Sequence, residues 1–292
     1  FIKLENNQKR QHIMINQKSE QKTPFVSFPK IGFGTFQLGD KEQTARAVEG
    51  ALNAGYRLID TAADYGNEDG VGEGLRSSQV PRSEVLVSTK VWPSDLGYDN
   101  TLRAFERSLS RLNLDYVDIF LIHWPCTTKL NTTSWKALER LVSEKLILYP
   151  GVSNFNVSHL ERLLSEAAIP PALNQIEFHP QFFDRKLYEF CQKLGIILEG
   201  WSPLMQGTAL NHKILRSIAE KHRRSPAQIV LRWSVQMNVI PLPKTGTAAR
   251  MIENINIFDF QLDEEDMTAI EALYTNQRLG PDPASYQFCS SL

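Results

Sequence analysis

The chain has 292 residues, of which 42% are hydrophobic and 22% charged, so it can bury a large core and is not an extended disordered protein. Its 32 Lys and Arg residues against 33 Asp and Glu give a net charge of −1, which provides no positive field for nucleic acid or an anionic membrane. Its three cysteines include no Cys-x-x-Cys pair, which argues against a disulfide framework and favours a reducing compartment. We therefore expect a cytoplasmic protein without nucleic-acid or membrane partners.

The N-terminal segment differs in composition from the rest of the chain. Residues 1–24 are rich in Gln, Lys and Asn and have no apolar period, which predicts a disordered extension. Met14 is a candidate native start, in which case residues 1–13 do not belong to the natural protein. Residues 25–292 contain no recognisable linker, so we predict that they form one domain.

Short apolar runs alternate with stretches of helical period from residue 31 onward. This pattern is typical of parallel strands joined by helices. The predicted strands are 31–35, 57–60, 85–90, 117–123, 149–153, 173–177, 196–201 and 239–243. Eight strands whose ends are spaced about 30 residues apart predict an α/β fold of the (β/α)8 TIM-barrel type. Additional helices are predicted near the C-terminus, at 226–236 and 263–274.

Four polar residues lie at or just after the ends of consecutive predicted strands. Asp60, Lys90 and His123 end strands two, three and four, and Tyr65 follows in a loop. Each alone has an ordinary structural explanation, but a barrel brings strand ends to one mouth. A buried Lys90 needs the carboxylate of Asp60, and its charge is expected to lower the pKa of Tyr65 towards neutrality. Tyr65 then becomes a candidate general acid, and a neutral His123 can orient a substrate oxygen.

Proton delivery to an oxygen suits the addition of hydride to a carbonyl, which requires a cofactor. The usual dinucleotide fingerprint is absent, because the run from Gly32 has Gln37 where glycine is required. The glycines at 70, 72 and 74 do not follow a strand in the required way. The sequence therefore predicts reduced nicotinamide chemistry without a Rossmann domain.

Seven segments resemble the signatures of the aldo-keto reductase family, in family order. They are 55–72 (GYRLIDTAADYGNEDGVG), 87–93 (VSTKVWP), 118–125 (DIFLIHWP), 151–156 (GVSNFN), 174–180 (NQIEFHP), 201–204 (WSPL) and 243–254 (PKTGTAARMIEN). The resemblance covers about residues 25–285. It implies a TIM barrel that binds NAD(P)H across its mouth, with Tyr65 as proton donor, Lys90 and Asp60 behind it, and His123 directing the carbonyl.

The resemblance also implies a cofactor site. Ser153, Asn154 and Gln175 correspond to the residues that hold the nicotinamide carboxamide, and Trp201 stands where the family usually has a stacking Tyr. The remaining implied contacts are Thr35 and Asp60, Ser202, Leu204 and Gln206 at the pyrophosphate, Lys244, Thr245 and Arg250 at the 2′-phosphate, and Glu253 and Asn254 at the adenine. Two cations suit a dianionic phosphate, so NADPH is favoured over NADH.

The substrate pocket implied by the resemblance is aromatic. Phe36, Trp92 and Trp124 flank the reactive centre together with His123. Short loops imply an open mouth and small carbonyl substrates, such as aldehydes, dicarbonyls or keto-sugars, in a microbial type of monomeric reductase. Pro150 lacks a strand donor, so strand five is expected to start later or bend. The hairpin that commonly covers the barrel bottom is not evident.

Two other functions fit parts of the pattern. A non-catalytic NADPH-binding protein of the same fold would retain the cofactor site, although the four polar residues argue for catalysis. A metal-dependent hydrolase would use His123, His179 and Asp60, but Lys90 would repel the cation. We therefore expect no metal.

Overall fold

The computed structural model describes residues 28–285, so the predicted extension over residues 1–24 lies outside the described part. The strands are β1 (Phe33–Gly34), β2 (Leu58–Asp60), β3 (Leu86–Val91), β4 (Ile119–Ile122), β5 (Tyr149–Ser153), β6 (Leu173–Glu177), β7 (Ile197–Trp201) and β8 (Val239–Pro241). The helices are α1 (Lys41–Asn53), α2 (Glu68–Ser77), α3 (Tyr98–Leu112), α4 (Thr128–Ser143), α5 (Val157–Glu166), α6 (Arg185–Leu194), α7 (Lys213–His222), α8 (Pro226–Gln236), α9 (Ala248–Ile255) and α10 (Glu264–Glu271).

The eight strands form one parallel sheet in the order of the chain, from β1 to β8. The sheet curls, because the backbone N–H groups of Gly32 and Gly34 donate to the carbonyls of Pro241 and Pro243 at 3.0 and 3.1 Å, beside its last strand. With helices between successive strands, this arrangement fits the predicted (β/α)8 architecture. All eight predicted strands are present, although β1, β4 and β8 are each shorter than predicted by two or more residues.

The inner face of the sheet has an apolar layer below a polar one. Leucines and isoleucines on or just after five strands pack together inside the curl: Leu58, Leu86, Ile119, Leu121, Leu173, Ile240 and Leu242. Below them, the ring of Phe28 contacts that of Tyr149 edge-on at 4.7 Å and covers the end for which no hairpin was evident. The two-residue period of a strand places inward residues two or four positions further along in a polar layer: Asp60, Lys90, His123, Gln175 and Glu199.

The helices cover the outer face through a larger apolar cluster. Their starts are fixed locally. Ser225 and Gln228 form a capping box before α8, which has Pro226 in its first turn, as predicted. Asp263 is the cap of α10 rather than its first residue, so the predicted helix at 263–274 is shorter than expected. Within residues 28–285, no helix is both long and apolar enough to cross a membrane.

Strand β5 begins at Tyr149, so the expectation that Pro150 delays it is wrong. The N–H groups of Leu148 and Tyr149 both donate to the carbonyl of Asp118, and Pro150 accepts from Ala172 through its own carbonyl. Proline lacks only a donor, and the residues before it supply the missing bonds to β4. The strand therefore keeps its register and delivers Ser153 to the polar layer.

The cysteines differ from one another. Cys191 is free and buried, and burial raises the pKa of its thiol to about 12. Cys126 is disulfide-bonded, and a single bridge is not the disulfide framework that the cysteine pattern argues against. An odd number of cysteines excludes only complete pairing, not a single bridge. Cys289 lies outside the described residues.

Candidate active site

The centre of the site is a buried ion pair between neighbouring strands. The Nζ atom of Lys90 lies 2.8 Å from each carboxylate oxygen of Asp60 and 2.7 Å from the carbonyl oxygen of Thr61. Burial lowers the pKa of Lys90, but Asp60 and Tyr65 raise it by more, so its pKa is raised overall. The ammonium therefore stays charged inside the sheet.

Tyr65 lies on a short 3₁₀ helix, Ala63–Tyr65, which follows β2. Its hydroxyl is 3.3 Å from Lys90 Nζ, so the two side chains are in contact, as the predicted chemistry requires. The expected direction of its pKa is nevertheless wrong. Burial raises the pKa of Tyr65, the charge of Lys90 lowers it, and the charge of Asp60 raises it again, so that the pKa is raised overall. Because burial and the charge of Asp60 together outweigh the charge of Lys90, Tyr65 keeps its proton at neutral pH.

His123 follows the end of β4 and faces the same space as Tyr65. Burial and then the charge of Lys90 lower its pKa well below the ordinary value, so its imidazole is neutral. The Nδ1 atom of His123 is buried without a hydrogen-bond partner among the described residues. Its ring contacts those of Tyr65 at 5.7 Å and Trp92 at 5.0 Å, both edge-on.

Aromatic rings surround this polar centre. The Phe36 ring lies 5.0 Å from that of Tyr65, and its side chain is 51% exposed. Trp92 continues the row beyond His123, whereas Trp124 is buried. Phe36, Tyr65, His123 and Trp92 thus form a continuous row of rings that is open at Phe36. An exposed ring at this edge suits an apolar or flat substrate.

Three residues predicted to hold the carboxamide lie close together on β5 and β6. The Ser153 hydroxyl donates to the backbone carbonyl of Gln175 at 2.9 Å and accepts from Asn154 at 3.1 Å. The Asn154 amide also donates to the backbone carbonyl of His123 at 3.0 Å. Ser153 and the Asn154 nitrogen are therefore engaged within the protein, while the Gln175 amide donates to Asp60 and Glu199.

Trp201 ends β7 and begins a loop of unusual backbone conformation. Its indole nitrogen donates to Asn154 Oδ1 at 3.0 Å, which orients both side chains. Ser202, Met205 and Gln206 have φ near +50°, a region that residues other than glycine seldom adopt. Such turns direct successive backbone N–H groups to one side and are typical of anion sites. Leu204 and Gln206 were predicted to lie along the pyrophosphate, and they belong to this loop.

The residues predicted for the adenosine end lie after β8. Lys244 and Arg250 are exposed, and Arg250 lies on α9. Thr245 is buried, and its hydroxyl accepts from the N–H of Thr247 at 3.1 Å. Glu253 accepts a hydrogen bond from the hydroxyl of Ser225, and Asn254 is buried on the same helix. Two solvent-facing cations beside a tight turn can receive a phosphate.

The C-terminal segment lies against the same mouth. Glu177 is buried and accepts from the backbone N–H groups of Leu279 at 2.6 Å and Gly280 at 3.3 Å, and from His179 at 3.0 Å. A Cβ atom on Gly280 would lie 2.4 Å from the Trp201 ring. Glycine at 280 therefore lets the chain pass close to the tryptophan that replaces the usual tyrosine.

Sequence reasoning missed three buried polar residues of the site. Asn67 donates to the carbonyl of Thr35 at 2.9 Å and so links β1 to the loop that carries Tyr65. Glu177 holds the C-terminal segment, and Glu199 contacts Gln175. The sequence does carry a signal for Glu199, because it is a charged residue in an otherwise apolar predicted strand, two residues before the end of that strand.

The alternative of a metal site gains no support from the geometry. Lys90 holds Asp60, and His179 contacts Glu177 instead of His123. In the part of the chain that the structure describes, no three His, Cys, Asp or Glu side chains come together as metal ligands.

Comparison with known proteins identifies the family. The model of the Aldo/keto reductase family matches residues 30–275. The chain belongs to the aldo/keto reductase family. This confirms the family resemblance drawn from the sequence.

Individual members of the family are similar over most of their length. Glyoxal reductase of Bacillus subtilis is 49% identical over 263 residues, which cover 90% of this chain and 95% of the relative. Methylglyoxal reductase DkgA of Yersinia pestis is 44% identical, over 87% of this chain and 92% of the relative. A Gox0644 mutant solved in complex with NADPH is 41% identical with a TM-score of 0.84, over 89% of this chain and 95% of that one.

Proposed function

We propose that this aldo/keto reductase family member reduces small aldehydes and dicarbonyls to alcohols with NADPH, and that Tyr65 is the general acid. The observation that carries the proposal is the Lys90 ammonium, which contacts both the Asp60 carboxylate and the Tyr65 hydroxyl. A buried cation at that distance stabilises the tyrosinate left when the proton departs. The alternative of a non-catalytic NADPH-binding protein has no observation in its favour.

The residues present fit the proposed cofactor. The positive-φ loop that contains Ser202 and Gln206 offers their backbone N–H groups for a pyrophosphate, while the N–H of Met205 closes the turn onto the Ser202 carbonyl. The partly exposed Trp201 ring offers a stacking face. Lys244 and Arg250 supply the charges that distinguish a 2′-phosphate from a hydroxyl. When bound, NADPH supplies the hydride that adds to the carbonyl carbon.

In the proposed mechanism, the protein's side chains manage the charge and the proton. His123 is neutral, so it can donate one hydrogen bond to the substrate oxygen and keep its own proton. Tyr65 is protonated at neutral pH and gives its proton to the oxygen as negative charge develops there. Lys90 stabilises the resulting tyrosinate, and Asp60 keeps Lys90 in place.

The proposed substrate class rests on two supports. Phe36, at one end of the row of rings formed with Tyr65, His123 and Trp92, is exposed to solvent. A small substrate can therefore reach the reactive centre from that end. The similar proteins from Bacillus subtilis and Yersinia pestis are named for glyoxal and methylglyoxal, which are small dicarbonyls. A flat, small dicarbonyl suits a pocket lined by rings around a few hydrogen-bond donors.

The decisive experiment compares Tyr65→Phe with Tyr274→Phe, a control at an exposed tyrosine. NADPH oxidation with glyoxal and methylglyoxal is followed at 340 nm, and NADPH binding is titrated by fluorescence. We expect Tyr65→Phe to lose at least about a thousandfold in kcat while its Kd for NADPH changes little, because only proton transfer is removed. A variant that keeps more than a few per cent of the turnover would exclude Tyr65 as the acid.

A further inference from the structure

Glu199 is a buried carboxylate that the proposed mechanism does not use. It lies on β7, is 0% exposed, and is in register with Gln175 on β6. An ionisable group at such a position is costly unless it has polar partners. Its Oε2 atom accepts from Gln175 at 2.8 Å, and its Oε1 atom has no partner among the described residues. Gln175 is thus the contact through which Glu199 acts.

The Gln175 amide is held by two carboxylates at once. Its Nε2 atom lies 2.8 Å from Asp60 Oδ1 and 2.8 Å from Glu199 Oε2. A primary amide nitrogen has two hydrogens, so both are used. The opposite orientation of the amide would direct its oxygen at two carboxylates, which is repulsive. The orientation is therefore decided by the surroundings, and the amide oxygen faces away from both carboxylates.

The other two residues predicted to hold the carboxamide, Ser153 and Asn154, are already engaged within the protein. Ser153 both donates and accepts within the protein, and both hydrogens of the Asn154 amide are in use. Gln175 Oε1, by contrast, accepts no hydrogen bond from the described residues and is left as an acceptor. We propose that Glu199 is a positioning residue of the cofactor site, which fixes Gln175 so that its Oε1 accepts a hydrogen bond from the carboxamide NH₂ of the nicotinamide. The inference rests on the proposed function.

Asp60 alone does not provide the same restraint. Both of its oxygens accept from Lys90, so the oxygen that contacts Gln175 is shared with a cation. Glu199 supplies the second point that prevents rotation of the amide. The contact does not require a charge, since a proton on the unpartnered Oε1 leaves Oε2 as an acceptor. Glutamine at 199 should therefore serve, and a side chain without an acceptor should not.

The experiment uses Glu199→Met, which keeps the length of the side chain but has no acceptor, and Glu199→Gln, which keeps one. Tryptophan fluorescence gives the Kd of NADP⁺ and of 3-acetylpyridine adenine dinucleotide phosphate, whose acetyl group lacks the NH₂ donor. The ratio of the two Kd values isolates the contact to the carboxamide and needs no turnover. Glu68→Gln is a control at another fully buried carboxylate, which contacts Thr89 and Arg111 instead.

We expect the full-length wild type to bind NADP⁺ about fivefold more tightly than the analogue, the difference that one hydrogen bond provides. The preference should disappear in Glu199→Met and persist in Glu199→Gln and Glu68→Gln. An unchanged ratio in Glu199→Met, a lost preference in Glu199→Gln, or no preference in the wild type would refute the inference. A wild type that binds neither dinucleotide would instead refute the proposed function. If Glu199→Met does not fold, Glu199→Leu replaces it.

Discussion

At the scale of single residues, the site depends on how buried charges offset one another. Lys90 is the one cation that contacts Asp60 and Tyr65 among the described residues. Its effect on the Tyr65 hydroxyl is opposed by burial and by Asp60, so the pKa of Tyr65 is raised. The lysine therefore does not make the tyrosine ionise in the resting protein. In the proposed mechanism, the lysine instead lowers the free-energy cost of forming the tyrosinate when the proton is transferred.

Glu199 gives the folded protein a pH dependence whose sign can be stated. Burial and the charge of Asp60 raise the pKa of Glu199 to about 7, from 4.5 in an unfolded chain. Between these values the folded state holds a proton that the unfolded state has lost, so this group's contribution to stability falls as the pH rises. We expect Glu199→Gln to gain about 2 kcal/mol relative to wild type between pH 5 and pH 8, measured by urea unfolding. A gain that is independent of pH would contradict this assignment.

Arg250 is the residue at which we expect cofactor preference to be decided. Its guanidinium is exposed on α9, where it can contact a 2′-phosphate but not a 2′-hydroxyl with comparable strength. Arg250→Ala should raise the KM for NADPH about tenfold and leave that for NADH unchanged. Steady-state kinetics with both cofactors test this, with Arg216→Ala on α7 as a control at another exposed arginine. Equal losses with both cofactors would place the 2′-phosphate elsewhere.

At the scale of elements, the glycines of α2 have a packing role. The motif at 70, 72 and 74 resembles part of a dinucleotide fingerprint, but these residues lie inside a helix. A Cβ atom on Gly70 or Gly74 would lie 2.6 Å from a backbone oxygen of α1, and one on Gly72 would lie 2.0 Å from the carbonyl oxygen of Leu112 on α3. The absence of side chains lets α2 lie directly against both neighbours.

Gly72→Ala tests this close packing. Alanine favours a helix by about 1 kcal/mol over glycine, yet here its methyl group would overlap rigid backbone of α3. We expect a net loss of about 2 kcal/mol in the free energy of unfolding, measured with denaturant. Gly246→Ala is the matched control, because a Cβ atom there has no neighbour within 4 Å. A Gly72→Ala protein as stable as wild type would show that the helices separate at little cost.

At the scale of the whole molecule, the candidate site draws on most of the chain. Its residues come from the carboxyl ends of all eight strands and from α9, so binding NADPH should stabilise the molecule as one unit. We propose that residues 25–292 form one domain and expect one unfolding transition. NADPH at 100 times its Kd should add about 2.7 kcal/mol and raise the Tm by about 5 °C. Two transitions in calorimetry, with only one shifted by NADPH, would contradict the single domain.

The sequence by itself determined the eight strands, their order and the residues at their ends. Those features depend on local period, on turn residues and on motifs such as the one from 118 to 125, all of which are readable along the chain. The helix Pro226–Gln236 was predicted for the same reason, since a proline suited to a first turn marks its start in the sequence.

Only the tertiary structure decided the balance of charges within the site. The contact of Tyr65 with Lys90, the contact of Gln175 with Glu199 and the packing of Gly72 on Leu112 each join residues that are far apart in the chain. Desolvation and hydrogen bonding change steeply over an ångström, and no residue pattern records such distances. Glu199 shows the difference. Its position in a strand was visible from the sequence, but the restraint of Gln175 that it shares with Asp60 was not.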